Sequence, residues 1–415
     1  MLQHLAGQYH ESNLSLTKAE ELTEALYTRR LRFEVQAFLT SDNALPYEGE
    51  EFEKVMLNVL MAMNYAQLGL PDDALVEARK VDHKLTVLKD RNRGKITYSR
   101  DPFARYLSGI LYEASGNLND ALVAYRLAFD ALREAQTLYG TPVPDTLRRD
   151  LLRTTDALGL SDEHHQYQSL FPHVSWVPLG QTRDLAELIF VAYEGRAPIK
   201  YDVLIDVPFS RDALAVVLAT RGFGRPRYGD GHPADGVLYG LTGHIMRLAV
   251  PRFAPRRSIV SRAEAVVIGN DTVHSAPLAL IEDITAIAMK DLDERIIRTT
   301  VKAVARAAWK YAMAEGVELG VRGAFGKDRE GAYLAGAIAG ALARIFAIAS
   351  EKADKRSWAT LPDRIELGRL QVPPGTYDIE FHYSGRVGEA LPTQVVRGIT
   401  IRAGEKRFIT TRVMH

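Results

Sequence analysis

The sequence predicts an α+β protein in which a region of repeated helices is followed by a mixed domain of mainly antiparallel sheet with a helical hairpin. Two observations support this fold class. A helix–turn–helix pattern occurs twice between residues 52 and 139, and beyond about residue 165 helical spacing gives way to short alternating or β-branched segments. At 415 residues the chain exceeds what one hydrophobic core usually organises. We therefore expect two units, a helical repeat domain at 1–165 and a mixed α+β domain at 166–415.

The repeated pattern has the features of a tetratricopeptide (TPR) pair. In each copy a glycine, Gly69 or Gly116, closes the first helix, and an acidic residue, Asp73 or Asp120, is placed to cap the second. The two glycines lie 47 residues apart, against about 34 in an ordinary TPR array, and the excess falls in the basic segment 90–101. The sequence therefore predicts a TPR-like α-solenoid with a long connection between its two repeats.

Further helices are predicted on both sides of the repeats, at 15–38 and 145–158, because apolar residues recur there with helical spacing. Solenoids need about three units for stability, so we expect these helices to cap the stack. The first helices of such repeats line a groove, where exposed aromatic and polar side chains can anchor a peptide. The candidate partner-binding residues are Asn64, Tyr65, Arg105, Tyr106 and Tyr112.

Strand patterns begin with the run LAELIFVAY at 185–193, which is apolar on both faces and must therefore lie in the centre of a sheet. Further strands are predicted at 197–207 and 260–268. The β-rich tail, 361–415, should pair with the strands of 185–207, because a sheet of about four short strands needs cover from other elements. We expect Trp358 to plug the joint between helix and sheet, and the last two tail strands to form a hairpin. The tail strands are predicted at 364–370, 377–383, 395–401 and 407–413.

Two helical patterns lie between these strand groups. One runs from Pro277 to Tyr311, and the other is the apolar run 331–349, whose only charge is Arg344. The second run is long enough to span a bilayer, but an arginine at its centre is costly in lipid. A buried helical hairpin at about 284–350 explains both patterns. The sequence leaves open whether the apolar helix is a core helix or an interface.

Composition and motifs argue against most kinds of chemistry. Lys plus Arg and Asp plus Glu number 52 each, so the chain has no net charge to attract nucleic acid or an anionic membrane. With no cysteine, disulfides, thiol catalysis and cysteine-based metal sites are excluded. His164, His165 and His173 lack the fixed spacing of a metal site, and no phosphate-loop or nucleophile motif is complete. We predict no catalytic residues, no metal and no cofactor.

Two polar groups are weighed as sites. The Gly-rich segment 221–243 is interpreted as a surface loop, and the arginines that follow it suit either an anion or acidic-partner patch or ordinary solvated positions. Carboxylates from Glu282 to Glu294 stand near the start of a long helix, where the helix dipole favours a capping role. As an alternative, an enzyme site near the Gly-rich loop would use Asp230, His232 and Glu282. The patch residues are Arg247, Arg252, Arg256 and Arg257.

Five phrases carry a family resemblance: LPYEGE at 45–50, ALVEAR at 74–79, PFARYL at 102–107, EDITAIA at 282–288 and RSWATLP at 356–362. Together they resemble an uncharacterised family of TPR-containing bacterial envelope lipoproteins, over about residues 40 to 380. The resemblance implies a periplasmic or extracytoplasmic location on a lipid anchor, although the signal and lipobox cysteine typical of the family are absent from this sequence. It implies no reaction and no catalytic motif.

The function predicted from the sequence is a non-catalytic protein-binding adaptor or scaffold of the bacterial cell envelope, acting through the TPR-like groove. One alternative is a structural subunit of a larger extracytoplasmic assembly, and another is the enzyme considered above. We expect protein partners and no nucleic acid. Membrane contact is expected only through a lipid anchor, and oligomerisation is left open.

Overall fold

The computed structural model describes residues 1–32, 46–91, 101–208, 245–269, 271–294, 296 and 354–414. Helices make up most of its N-terminal part and strands most of the remainder, which confirms the α+β fold class. The N-terminal helices are α1 (Leu2–Leu5), α2 (Tyr9–Arg32), α3 (Glu51–Gln67), α4 (Pro71–Arg91), α5 (Pro102–Ala114), α6 (Leu118–Tyr139), α7 (Asp145–Ala157) and α8 (Ser161–Leu170). The strands are β1 (Ala186–Glu194), β2 (Arg196–Pro208), β3 (Ile245–Arg256), β4 (Val260–Gly269), β5 (Thr272–Asp283), β6 (Arg364–Val372), β7 (Gly375–Gly385), β8 (Ala390–Ile401) and β9 (Lys406–Val413).

The helix pairs α3–α4 and α5–α6 are the two copies of the sequence repeat, and each pair turns at a glycine. Gly69 and Gly116 have φ of +71° and +79°, a left-handed conformation that glycine adopts without strain. The cap of α6 is Asn117, whose side chain accepts from the backbone N–H of Asp120. The capping role predicted for Asp120 is therefore wrong, since this residue lies in the first helical turn. Helices α2 and α7 pack on α3 and α6, as expected of flanking helices.

A seven-stranded sheet in the order β8-β7-β4-β5-β6-β1-β9 forms the second layer. Strand β1 lies between two strands of the tail, antiparallel to β6 and parallel to β9. All nine of its residues are buried. The other neighbouring strands of this sheet are antiparallel. The predictions that 185–193 is central and that the tail pairs with it are confirmed.

The hairpin predicted for the last two strands is wrong, because β8 and β9 lie at opposite ends of the strand order. The sheet instead curls until these two edges approach each other. Gln394 of β8 donates its Nε2 to the carbonyl of Arg412 in β9 at 2.5 Å, and Tyr383 of β7 donates to Thr411 Oγ1 at 3.0 Å. A buried strand needs hydrogen-bond partners on both edges, and β9 supplies the second edge of β1. The result is a nearly closed barrel.

The strands carry hydrophobic clusters on the inside and on the outside of this barrel. In the interior, Phe190 of β1 meets Phe381 of β7 edge to face, with ring centroids 5.8 Å apart. The odd-numbered residues of 189–193 point the other way and join the cluster that contains the cores of α3 and α5. Trp358 is partly buried against this outer cluster, as expected of a plug at the joint. The division into two domains near residue 165 stays a prediction.

Two strands have no counterpart among the predicted elements. Strand β3 forms a separate two-stranded ribbon with β2, so the expectation that 197–207 joins the tail sheet is wrong. Strand β5 extends to Asp283, where a helix was expected from Pro277, because β4 and β6 pair with it on both sides. Helix α9 then begins at residue 284 and continues to 294. The remainder of the predicted hairpin, with its apolar run 331–349, lies outside the described residues.

Six charges, five of them buried and that of Lys406 partly buried, join the helices to the barrel, and we call them the ionic joint. Arg369 of β6 donates to Glu187 of β1 at 2.7 and 2.8 Å, to Asp150 of α7 at 2.6 Å and to Glu113 of α5 at 3.2 Å. Arg153 of α7 donates to Glu113 at 2.7 Å. The joint consists of Glu113, Asp150, Glu187, Arg153, Arg369 and Lys406.

The ionic joint is neutral, with three carboxylates and three cations. Burial alone would raise the pKa of Glu113, but the charges of Arg153, Arg369 and Lys406 lower it to about 2. The same balance holds the pKa of Glu187 well below its usual range. Since buried ions are tolerated only when they are paired and hydrogen-bonded, the helices and the barrel can dock in few other arrangements.

We expect Arg369→Met to destabilise the protein by about 3–5 kcal/mol, because it leaves three buried carboxylates facing two cations. Urea unfolding followed by circular dichroism measures the change in the free energy of unfolding. The control is Arg262→Met on β4, whose side chain is 70% exposed, for which a change within about 0.5 kcal/mol is expected. A loss below about 1 kcal/mol for Arg369→Met would show that the joint does not hold the two layers together.

Candidate functional site

The predicted partner-binding residues are buried or half-buried among the chain's own elements. Asn64, Tyr106 and Tyr112 are at most 6% exposed, so the exposure expected of them is wrong. Tyr65 and Arg105 are half-buried. The outer face of the barrel packs on the first helices of the repeats, α3 and α5. It therefore covers the face on which a bound peptide was expected.

Hydrogen bonds within the chain occupy these side chains. Asn64 donates to Ser12 Oγ at 2.9 Å and to Asn13 Oδ1 at 2.7 Å, which ties α3 to α2. Tyr106 donates its hydroxyl to Asp150 of the ionic joint at 2.6 Å. Arg105 forms an ion pair with Asp82 of α4. The polar and aromatic residues that resembled contacts for a partner therefore hold the fold together.

The β2–β3 ribbon presents apolar side chains to solvent. Ile199 and Tyr201 are 42% and 46% exposed, and Leu204, further along β2, is 60% exposed. Near its base the ribbon is attached through Lys200, which pairs with Glu50 at the start of α3 and lies 5.5 Å from the centre of the Phe253 ring. Within the described residues β2 and β3 pair as strands only with each other.

The four arginines predicted as an anion or acidic-partner patch do not share one environment. Arg252 pairs with Asp293, and Arg257 donates to both carboxylate oxygens of Asp283 at 2.7 Å. Arg256 donates only to backbone carbonyls, at 2.7 and 2.8 Å. Arg247 lies in β3, but its side chain is outside the described part. Among the described residues, two of the four arginines are therefore paired with a carboxylate, and Arg256 is not.

The predicted carboxylate site is a buried end of β5 beside a very small cavity. Glu282 is 2% exposed and accepts from the backbone N–H of Phe103 at 3.0 Å. Burial, and then the neighbouring Asp101, raise its pKa well above the usual range. The adjoining cavity of about 10 Å³, next to Tyr139, holds about one water, whereas ligand pockets measure roughly 300 Å³ or more. Asp230 and His232 lie outside the described residues.

The remaining predicted polar groups serve local structure. Asp283 accepts from the backbone N–H of residue 286 at 2.7 Å and so caps α9, as expected from its position. His164 donates its Nδ1 proton to the carbonyl of Leu152 at 3.0 Å and packs against Trp176. No group of three metal-ligating side chains occurs in the described part of the chain. No helix there has the length and hydropathy needed to cross a membrane.

Two acidic side chains lie inside the barrel near one end. Glu194 of β1 is fully buried and accepts from Arg364 at 2.7 Å. Glu366 of β6 is 5% exposed, and burial together with the charge of Glu194 raises its pKa to about 8. One oxygen of each, Glu194 Oε1 and Glu366 Oε2, has no hydrogen-bond partner among the described residues. At neutral pH Glu366 therefore keeps its proton.

Comparisons with known proteins identify no relative for this chain. No family model, no curated protein and no solved structure matches it. The resemblance to TPR-containing envelope lipoproteins thus stays a hypothesis carried by five short phrases. Function has to be inferred from the contacts and surfaces described above.

We expect Glu366 to make stability depend on pH. Its pKa is about 8 in the folded protein against a usual 4.5, so the folded state binds this proton more tightly than the unfolded state. The contribution of Glu366 is present in full below pH 4.5 and is lost as the pH rises to about 8. The free energy of unfolding of Glu366→Gln, minus that of the native protein, should therefore rise by on the order of 4 kcal/mol between pH 5 and pH 9.

Urea unfolding of both proteins at pH 5, 7 and 9 measures this gain. The matched control is Glu264→Gln on β4, whose side chain is 30% exposed and should give a difference that does not change with pH. If Glu366→Gln and the native protein differ by the same amount at pH 5 and pH 9, the carboxyl group is not held neutral inside the barrel.

Proposed function

We propose that this chain is a non-catalytic protein-binding scaffold of the bacterial cell envelope, with the β2–β3 ribbon as its binding element. The exposed apolar side chains of the ribbon, Ile199, Tyr201 and Leu204, are the observation that carries the proposal. Exposed apolar surface at an extended, unpaired strand is typical of sites for other protein chains. The paired helices are proposed to be TPR-like repeats whose groove face binds the chain's own barrel.

Backbone geometry favours one edge of the ribbon as the place where a partner strand would add. Asp202 lies opposite Pro251 in the register, and a proline nitrogen cannot donate to the ladder. Residue 202, and by alternation 204 and 206, therefore direct their N–H and C=O groups away from β3. The outer edge of β3 is interrupted by Pro251 and Pro255, whereas β2 offers a continuous run over 200–206. An extended segment of a partner would add to β2 as a third strand.

A second candidate, a structural subunit of an extracytoplasmic assembly, is favoured by the same exposed edge. A two-stranded ribbon is marginally stable by itself, so pairing with another copy would also stabilise it. The two functions differ in the molecule that would pair with β2 near Leu204. A scaffold would bind a different protein there, and a structural subunit would bind another copy of this chain. Within the described residues a catalytic function has no such support, since the cavity next to Glu282 has room for only about one water.

The envelope location is supported by the resemblance and by the absence of cysteine, which suits an oxidising compartment. In a bacterium that encodes the chain, we expect a protease added to spheroplasts to degrade the native protein while a cytoplasmic marker survives. Degradation only after the inner membrane is lysed would place the protein in the cytoplasm and exclude the envelope location.

We expect a photo-crosslinking residue at position 201 to capture a partner protein in cells, and Leu204→Pro to reduce that capture at least fivefold. The proline removes an outward N–H and leaves the hydrogen bonds to β3 intact, so the fold should be retained; circular dichroism and the melting temperature check this. Leu204→Ala, which keeps the N–H, separates the backbone contribution from the side chain.

The matched control for crosslinking is Val387, which is 91% exposed in a turn of the barrel. A product containing a second copy of this chain would favour the structural-subunit function. Equal capture at positions 201 and 387, or capture that Leu204→Pro does not reduce, would exclude the ribbon as the binding element.

A further inference from the structure

Three arginines that lack a carboxylate partner meet where several strands end, and we call them the arginine cluster. Arg196 is the first residue of β2 and Arg256 the last of β3, and the two are directly opposite each other in the register of the ribbon. Arg412 lies near the end of β9. None of the three forms an ion pair with a described residue, and the Arg196 side chain is exposed.

Backbone contacts bring the guanidinium groups of Arg256 and Arg412 together. Arg256 Nη2 donates to the first carbonyl of the segment 359–361 at 2.8 Å, and Arg412 Nη2 approaches the next two at 3.4 and 3.3 Å. The same two side chains also donate to the carbonyls on either side of Arg196, those of Ala197 at 2.7 Å and Gly195 at 2.8 Å. The guanidinium groups of Arg256 and Arg412 therefore both contact the backbone on either side of Arg196.

This arrangement works against folding unless an anion is bound. Like charges directly opposite each other on two strands are destabilising. Burial, together with the charges of Arg196 and Arg256, lowers the pKa of Arg412 to about 10. Neighbouring arginines do form ion pairs with carboxylates, since Arg252 pairs with Asp293 and Arg257 with Asp283. The three positive charges of the arginine cluster are therefore not compensated by an ion pair with any described residue.

Unused donors accompany these charges. Arg412 Nε and Nη1 are buried and have no hydrogen-bond partner among the described residues, and the same is true of the hydroxyl group of Tyr193. Tyr193 and Arg412 are register partners on the neighbouring strands β1 and β9, so their side chains lie on the same face of the sheet. A ligand rich in acceptor oxygens would satisfy donors of this kind.

We propose that the arginine cluster binds a phosphate group, entering past the exposed Arg196. A phosphate group carries up to two negative charges and several acceptor oxygens at pH 7, and arginine is the side chain best suited to bind it. A single carboxylate would leave two of the three positive charges uncompensated. The phosphate can be free, or part of a lipid headgroup. This site is independent of the strand-pairing function, and Leu204→Pro should leave it unchanged.

The test uses the full chain and its melting temperature in increasing sodium phosphate, against sodium chloride at the same ionic strength. We expect a saturating rise in phosphate only, because a ligand that binds the folded state stabilises it. Arg196→Gln should weaken the apparent affinity for phosphate at least fivefold. In the absence of phosphate this variant should melt no lower than the native protein, since it removes like-charge repulsion.

Arg252→Gln, on the same ribbon, is the matched control and should keep the native response to phosphate. Flotation with phosphatidylglycerol vesicles tests the lipid source, and binding that Arg196→Gln abolishes would support the proposal with a headgroup as ligand. Equal responses to phosphate and chloride without vesicle binding would overturn it. The proposal would also be overturned if Arg196→Gln responded to phosphate as the native protein does. The same holds if the protein bound polyglutamate but neither free phosphate nor the phosphatidylglycerol vesicles.

Discussion

The buried guanidinium group of Arg369 is the constraint on which the arrangement of this protein depends. It stands on a barrel strand but finds its carboxylates on three other elements, Glu113 on α5, Asp150 on α7 and Glu187 on β1. An unpaired ion in the interior costs several kcal/mol, so the ionic joint forms only when helices and barrel dock together. Tyr106 and Tyr125 direct their hydroxyl groups to carboxylates of the same joint and extend it into the helical layer.

This docking decides which surfaces are left for function. The first helices of both repeats are covered by the barrel, so the side chains that a repeat protein would offer to a peptide are used inside the chain. Charges in the ionic joint are compensated one by one, whereas the arginine cluster at the base of the ribbon has no carboxylate partner in the part of the chain that the structure describes. An exposed strand edge and an uncompensated charge cluster are both unfavourable for a chain in isolation. Their proximity, at the ribbon and its base, makes this side of the molecule the place where binding is best supported.

Much of the fold was predictable, because some segments carry their structural role in their own residues. Apart from Glu187, the run 185–193 is apolar on both faces, so its burial at the centre of a sheet follows from its composition. Gly69 and Gly116 likewise mark helix ends by their backbone freedom. Strands β3 and β5 could not be recognised in this way, since Pro251 and Pro277 lie inside them and their stability comes from neighbouring strands.

The sequence by itself determined the α+β class, the two helix–turn–helix repeats and the central place of β1, because these depend on local periodicity and on burial of apolar residues. Only the tertiary structure decided that β9 pairs with β1 and not with β8, and that Asn64 and Tyr106 face the interior. It also gave two adjacent arginines different surroundings. Arg257 lies beside a carboxylate, whereas Arg256 lies beside two further arginines. Residue type specifies charge and hydrogen-bonding capacity, but whether that capacity is used inside the chain or left for a ligand depends on neighbours that are distant in sequence.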